Sequence, residues 1–241
     1  MDHQLKQLQD WISESRHIVF FGGAGVSTES GIPDFRSVDG LYHQQYAFPP
    51  ETILSHSFFE RNPEEFSRFY RSKMLFPQAR PNAAHWKLAE LEAAGKLTAV
   101  VTQNIDGLHQ AAGSKTVYEL HGSVHRNHCM KCRRFYGLDF LLETGGVPRC
   151  PACGGVVKPD VVLYEECLDE TTMVGAVEAI AGADMLIIGG TSLAVYPAAG
   201  LIRYYRGNRL ALINKSATPY DREAGLVINA SLGEVLGAIR V

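Results

Sequence analysis

No stretch of this sequence is apolar for anything near the ~20 residues that a membrane-crossing helix needs; runs such as Met185–Ile188 are far shorter. There is no excess of basic charge either. Lys+Arg is 23 against 26 Asp+Glu, a net charge of −3, with no basic stripe. That balance excludes nonspecific nucleic-acid binding built on concentrated cations, and no direct nucleic-acid contact is expected. Repeats and low-complexity tracts are absent. Met1–Asp10 is polar and helical in pattern, so no secretory leader is read. Cysteine is scarce, five in 241 residues. Without a leader this points to a reducing, cytoplasmic setting, where thiols bind metal or react instead of crosslinking. What remains is ordinary globular material, 46% hydrophobic and 20% charged. It suffices for one large domain, or one plus a small insert.

Leu5, Leu8 and Ile12 predict an amphipathic helix over 2–15. Ile18–Phe21 is a continuous apolar run ending at Gly22-Gly23, a buried strand. Residues 26–50 read as a long loop. Asn62-Pro63-Glu64-Glu65 starts a helix running to about Leu75, and Asn82 caps another that stops at Gly95. Leu97–Val101, Val117–Leu120, Val161–Tyr164, Met185–Ile188 and Leu210–Ile213 read as strands. Helices are expected near 170–181, from Pro197 to about Arg206, and after the capping box Ser231-x-x-Glu234. Apolar strands alternating with helices mean an α/β fold, a parallel sheet covered on both faces. Its ligands should sit at the strands' carboxyl ends, just after Phe21, Val101, Leu120, Ile188 and Ile213.

Cys129-x-x-Cys132, seventeen residues, then Cys150-x-x-Cys153 has the spacing of a four-thiolate zinc site. Two structural disulfides or a redox pair are the alternatives. Four thiolates leave no open position, so such a zinc is structural. Lys131, Arg133 and Arg134 suggest DNA contact on one reading. On the other they offset the negative charge of a zinc–thiolate centre, which the overall acidity favours. Cys167 stands alone.

Gly22-Gly23-Ala24-Gly25-Val26-Ser27 follows a strand, as phosphate-approaching glycine loops do. The third glycine of a dehydrogenase fingerprint is missing, because position 28 is Thr, and no acidic residue closes a second strand about 20 residues later. Thr102–His109 places Gln103, Asn104 and Asp106 after the second strand. His121-Gly122 follows the third, the imidazole being either structural or a base. Gly189-Gly190-Thr191-Ser192 and Asn214 end later strands. Five polar clusters on one sheet edge point to a nucleotide site.

Taken together, these stretches resemble the sirtuin family of NAD-dependent protein deacylases. The matching pieces are Gly23–Ser27, Gly31-Ile32-Pro33-Asp34-Phe35-Arg36-Ser37, Thr102–His109, His121-Gly122, the cysteine quartet, Gly190–Leu193 and Ile213-Asn214, in family order across nearly the whole chain. The resemblance implies a Rossmann-like NAD-binding domain from 1–40, 81–123 and 157–241. It implies a smaller lobe made of a helical insert, 41–80, and a zinc module, 124–156, with one structural zinc on Cys129, Cys132, Cys150 and Cys153. The implied activity moves the acyl group of an acyl-lysine protein or peptide onto ADP-ribose, releasing nicotinamide and O-acyl-ADP-ribose. Protein mono-ADP-ribosylation in the same pocket is the rival reading.

By resemblance, Ala24, Gly25 and Thr28 line the phosphates with Ser192 nearby, and Thr191, Asn214, Lys215 and Ala230 hold the adenosine end. Phe35 and Arg36 lie over the nicotinamide ribose, which Gln103 and Asn104 contact. Ile105 and Asp106 hold the carboxamide. His121 is the general base, so His121, Asn104 and Asp106 form the catalytic set. Val162-Leu163-Tyr164 and Leu193-Ala194-Val195 are expected as two strand edges taking the peptide between them. Tyr70 and Lys73 are candidates for contact with an acidic acyl group. Lys73 stands where sirtuins that prefer such groups carry Arg and cannot make the planar two-point contact, so deacetylation is expected to dominate. Glu165 stands where the family usually has Gly, which suggests a preference for basic residues beside the acyl-lysine.

Overall fold

The structure, a computed structural model, describes residues 2–34 and 48–241. Phe35, Arg36 and positions 41–47 of the expected insert lie outside them.

Helix α1 (Asp2–Glu14) turns Leu8 and Ile12 inward. Lys96 closes its far end by donating to the carbonyls of Ile12, Ser13 and Ser15. Strand β1 (Ile18–Gly22) leads into two short 3-10 turns, Ala24–Val26 and Thr28–Ser30. Helices α2 (Pro50–Ile53), α3 (His56–Arg61), α4 (Pro63–Lys73) and α5 (Ala83–Ala93) follow. The Asn62 side chain accepts from Glu65 N and that of Asn82 from Ala84 N, the two caps the sequence predicts. Then come β2 (Leu97–Thr102), α6 (Leu108–Ala111), β3 (Val117–Glu119), β4 (Gly122–Cys129), β5 (Phe135–Tyr136), α7 (Leu138–Glu143) and β6 (Val157–Val161). The chain ends with α8 (Glu170–Ala181), β7 (Met185–Gly189), a 3-10 segment (Ala198–Tyr204), β8 (Arg209–Ile213), β9 (Leu226–Ile228) and α9 (Leu232–Gly237).

Six strands form one parallel sheet in the order β3-β2-β1-β7-β8-β9. The continuous apolar runs are explained by burial on both faces. Ile18, Phe20, Val100, Ile187 and Ile213 pack under α1, α5 and α9. Val19, Phe21, Val101, Ile188 and Leu212 pack under α8 and the 3-10 segment. The order reverses between β1 and β7, so their carboxyl ends, Gly22 and Gly189, flank the crevice where such sheets bind ligands. A separate antiparallel sheet, β5-β4-β6, shares an apolar cluster with α2, α3 and α4: Ile53, Phe58, Phe66 and Phe69 meet Val124, Leu141, Val161 and Leu163.

Four local expectations change. The strand read at Val161–Tyr164 is β6, four residues earlier and in the small sheet. It carries Pro159, which an edge strand tolerates, while the Val162 N–H bonds to the distant His121 O and the Leu163 N–H to Glu166 Oε2. The helix from Pro197 is the 3-10 segment. Strand β9 is only three residues long, below what periodicity can resolve. The capping box at Ser231 does not close: the Ser231 side chain caps no N–H, its hydroxyl reaching Glu234 at 3.4 Å, and the Gly233 N–H is capped by Glu29 from the loop after β1 at 2.8 Å.

His85 and His109 pack ring to ring beneath α5 and α6, centroids 4.7 Å apart and essentially without solvent contact. Burial disfavours their cations, pushing His85 down to about 4 and His109 to about 3. The unfolded chain therefore binds more protons than the native one below pH 6.5, and stability falls as pH drops from 6.5 through 4. His85 alone should cost on the order of 3 kcal/mol by pH 4. Urea midpoints measured across that range should fall, and less steeply in His109→Gln; an equally steep fall in the variant refutes the assignment.

Candidate active site

A cleft of about 1460 Å³ runs along the carboxyl ends of β1, β2, β7 and β8 and reaches the small sheet. Its floor is backbone. Gly25 N donates to Gly190 O at 2.8 Å, and a Cβ on Gly25 would fall 2.7 Å from Gly190 Cα. Gly190 adopts φ +61, where L side chains are strained. These glycines are required by close approach of two loops, and they leave the floor bare for a ligand of comparable closeness.

The walls are joined by hydrogen bonds. Asn214 and Thr191 exchange two, Thr191 N to Asn214 Oδ1 at 3.1 Å and Asn214 Nδ2 to Thr191 O at 2.9 Å. Gln103 Nε2 donates to Thr191 Oγ1 at 3.1 Å. The Gln103 carbonyl lies 3.0 Å from His121 Nδ1. A carbonyl only accepts, so Nδ1 carries the proton and Nε2 keeps its lone pair. Burial lowers the His121 pKa, partly opposed by the Gln103 bond, which keeps the ring neutral near pH 7.

Beside it, Ser27 donates to Asp106 Oδ2 at 2.6 Å and accepts from Asn104 Nδ2 at 3.0 Å. Leu108 N donates to Asp106 Oδ1 at 2.9 Å. Burial raises the Asp106 pKa, and the two donors hold it back. Ser27 is fully buried and joins two expected catalytic residues. The glycine motif alone assigns Ser27 no role, although a buried hydroxyl at a strand end must find partners. His125 was also passed over; it lines the cleft and its Nε2 sits 3.1 Å from Asp106 O.

Among the expected site residues, the cleft walls hold Ala24, Gly25, Thr28, Gln103, Asn104, Ile105, Asp106, His121, Thr191, Ser192, Asn214, Lys215 and Ala230. They also hold Val162, Leu163, Tyr164, Val195 and Lys73. Three expected residues lie off the walls. Tyr70 is 3% exposed and stacks on Phe66 in the helical cluster, because its helix turns that face inward. Leu193, at φ +54 and 2% exposed, enters the core beneath β1 and β7. Ala194 faces solvent. Residues 193–195 form a bend instead of a strand edge. Glu165 does line the cleft, and both its carboxylate oxygens are engaged by Ser57, which fixes where its charge sits.

The four cysteine sulfurs lie within 4.8 Å of one another. Cys129–Cys153 and Cys132–Cys150 approach to 3.4 and 3.6 Å. Zinc–sulfur bonds of about 2.3 Å in a tetrahedron put sulfurs about 3.8 Å apart, so the quartet is positioned for one metal ion and is far from disulfide distance. The Tyr136 hydroxyl donates to Cys150 Sγ at 3.0 Å, as a thiolate ligand favours. None of the four lines the cleft.

The Sir2 family pattern matches residues 23–197, spanning the glycine floor, the His121 region and the cysteine quartet. This chain belongs to the Sir2 family. It is 62% identical over 242 residues to an NAD-dependent protein deacetylase of Clostridium perfringens, covering 99% of both chains. To one of Staphylococcus aureus it is 43% identical over 241 residues, again 99% of both. Among solved structures, a Sir2 enzyme studied for mechanism and regulation superimposes with TM-score 0.89 at 41% identity, over 98% of this chain and 96% of that one. A Sir2 with a p53 peptide and NAD+ gives TM-score 0.84 at 41% identity, over 96% and 95%. The likeness to the two solved structures extends over nearly the whole chain, and among the described residues no helix is long and apolar enough to cross a membrane.

Proposed function

We propose that this Sir2 protein is an NAD-dependent protein lysine deacetylase that transfers the acyl group to ADP-ribose and releases nicotinamide. The carrying observation is the neutral His121, its tautomer set by Gln103, on the same wall as the Asn104–Ser27–Asp106 relay. The floor at Gly23, Ala24 and Gly25 carries no side chain beyond Cβ, so a dinucleotide pyrophosphate could approach the backbone closely there.

Ala24, Gly25, Thr28 and Ser192 would hold the phosphates, and Thr191, Asn214, Lys215 and Ala230 the adenosine end. Gln103 and Asn104 would contact the far ribose, with Ile105 and Asp106 at the nicotinamide carboxamide. When bound, NAD supplies an electrophilic ribose carbon as nicotinamide leaves. Asp106, fixed by Ser27 and Leu108, orients the departing group. His121 Nε2 accepts the proton of a ribose hydroxyl, which a neutral imidazole can do near pH 7. Loop 162–164 and the segment around Val195 hold the acyl-lysine, and positioning counts most because an amide oxygen is a poor nucleophile. Phe35 and Arg36 complete the ribose cover on this reading. The cysteine quartet would hold a zinc whose part is structural, and a cytoplasmic location suits thiols gathered on a metal.

A panel of acetyl-, propionyl- and succinyl-lysine peptides with NAD, read by mass spectrometry, tests this. Deacylated peptide and acyl-ADP-ribose are expected, with kcat/KM for acetyl at least about tenfold above succinyl. Lys73 offers a carboxylate only a point charge. ADP-ribose gained by the peptide, with no acyl loss, would replace this reading with transfer of ADP-ribose to protein.

A further inference from the structure

Loop 162–166 has little free backbone. Val162 N donates to His121 O, and Leu163 N to Glu166 Oε2. Leu163 O accepts from Glu166 N, while Tyr164 N and O bond to Leu54 O and His56 N. The Val162 carbonyl and both backbone groups of Glu165 are left without a backbone hydrogen bond among the described residues. Glu165 itself sits at φ +76, a conformation a long side chain resists unless something holds it there. Its carboxylate supplies the hold. Oε2 accepts from Ser57 N at 2.8 Å and Oε1 from Ser57 Oγ at 3.0 Å, and these bonds keep it ionised by lowering its pKa. Its neighbour Glu166 ties the same loop to His56 at 2.7 Å and Lys158 at 3.1 Å.

We propose that Glu165 is a positioning residue for the acyl-peptide: its side chain, tethered to Ser57 of α3, holds its own backbone N–H and C=O toward the cleft as the edge on which the peptide docks. The inference rests on the proposed assignment of this loop to the peptide. The tether stores the ordering of the loop before the peptide arrives, so peptide binding does not bear that cost. The two bonds to Ser57 fix the position of this carboxylate at the cleft.

Glu165→Gly takes φ +76 without strain and removes the tether but also frees the backbone, so it is paired with a variant that leaves Glu165 in place. The peptide KM should rise about fivefold to tenfold, the worth of one or two lost hydrogen bonds, with kcat and the NAD KM within about twofold. Ser57→Ala, which keeps its backbone N–H, should raise it less, and the double variant should be no worse than Glu165→Gly. Thermal melting should show all three folded. Hydrogen–deuterium exchange over 162–166 separates the two layers of the claim. Peptide should protect this segment in the parent protein, and the unliganded segment should exchange faster in Glu165→Gly. Protection with an unchanged peptide KM overturns the tether alone. No protection by peptide in the parent overturns the loop's assignment and the tether with it.

Discussion

Replacing His121 by alanine is expected to lower kcat by about 10²–10⁴, the usual worth of a positioned general base, while NAD affinity stays within a few-fold. The reasoning lies in one hydrogen bond and one desolvation. His121 Nδ1 donates to Gln103 O, so the ring cannot place that nitrogen's lone pair in the cleft, and Nε2 is the available base. Burial lowers the pKa below the ordinary 6.5, so the basic form persists as pH falls. The acid limb of kcat/KM should therefore lie below pH 6.5. A limb well above 6.5 would mean that the cation is stabilised in the cleft, contrary to this environment. His121→Gln keeps the volume and a donor but no base of similar strength, and should lose turnover like the alanine variant. An unchanged kcat in either variant removes His121 from the reaction.

Cys132→Ser is expected to strip the metal and unfold the tip of the small lobe. Apparent binding energies of structural zinc run to about 10–16 kcal/mol, and here little else holds the tip. Its apolar cluster contains Cys129, Cys150 and Val157, backed by Tyr136, Phe140 and Cys153, so three of its members are the ligands themselves. A core that small cannot offset chain entropy. Metal analysis should fall from one ion per chain to near none, and a low-temperature unfolding step should separate from that of the parallel sheet. Peptide turnover should fall with it, because α2, α3 and α4 share their core with β4 and β6 and carry the loop's anchors Leu54, His56 and Ser57. NAD affinity should suffer less, since most of the glycine floor and polar walls belong to the parallel sheet. Metal-free protein with full stability and full turnover would refute the structural role.

Much of this architecture was legible in local signals. Each inner strand announced itself as an apolar run closed by a polar or glycine residue, because burial on both faces leaves no alternation. Asn62 and Asn82 announced their helices because a cap is a short-range bond between neighbours. The cysteine spacing announced a metal because four ligands of one ion must converge. Misreadings occurred where a distant group decided. The last helix takes a cap from Glu29, 204 positions from Gly233, and none from the Ser231 side chain. Val162–Leu163 is apolar enough for a strand but is held by His121 and Glu166. Tyr70 and Lys73, one turn apart, face different surroundings, since α4 buries the face that carries Phe66 and Tyr70 and turns Lys73 to the cleft.

The sequence by itself determined the α/β class, the chain order of five of the six strands of the parallel sheet, the metal-binding quartet and which strand ends carry polar groups, because each depends on residues close together in the chain. Only the tertiary structure decided the His121 tautomer, the Asn104–Ser27–Asp106 relay, the inward turn of Leu193 and the hold of Ser57 on Glu165. Each of these is a contact between segments far apart in sequence. Such a contact exists only once the sheet has brought its strand ends, and the small lobe its loop, to hydrogen-bonding distance.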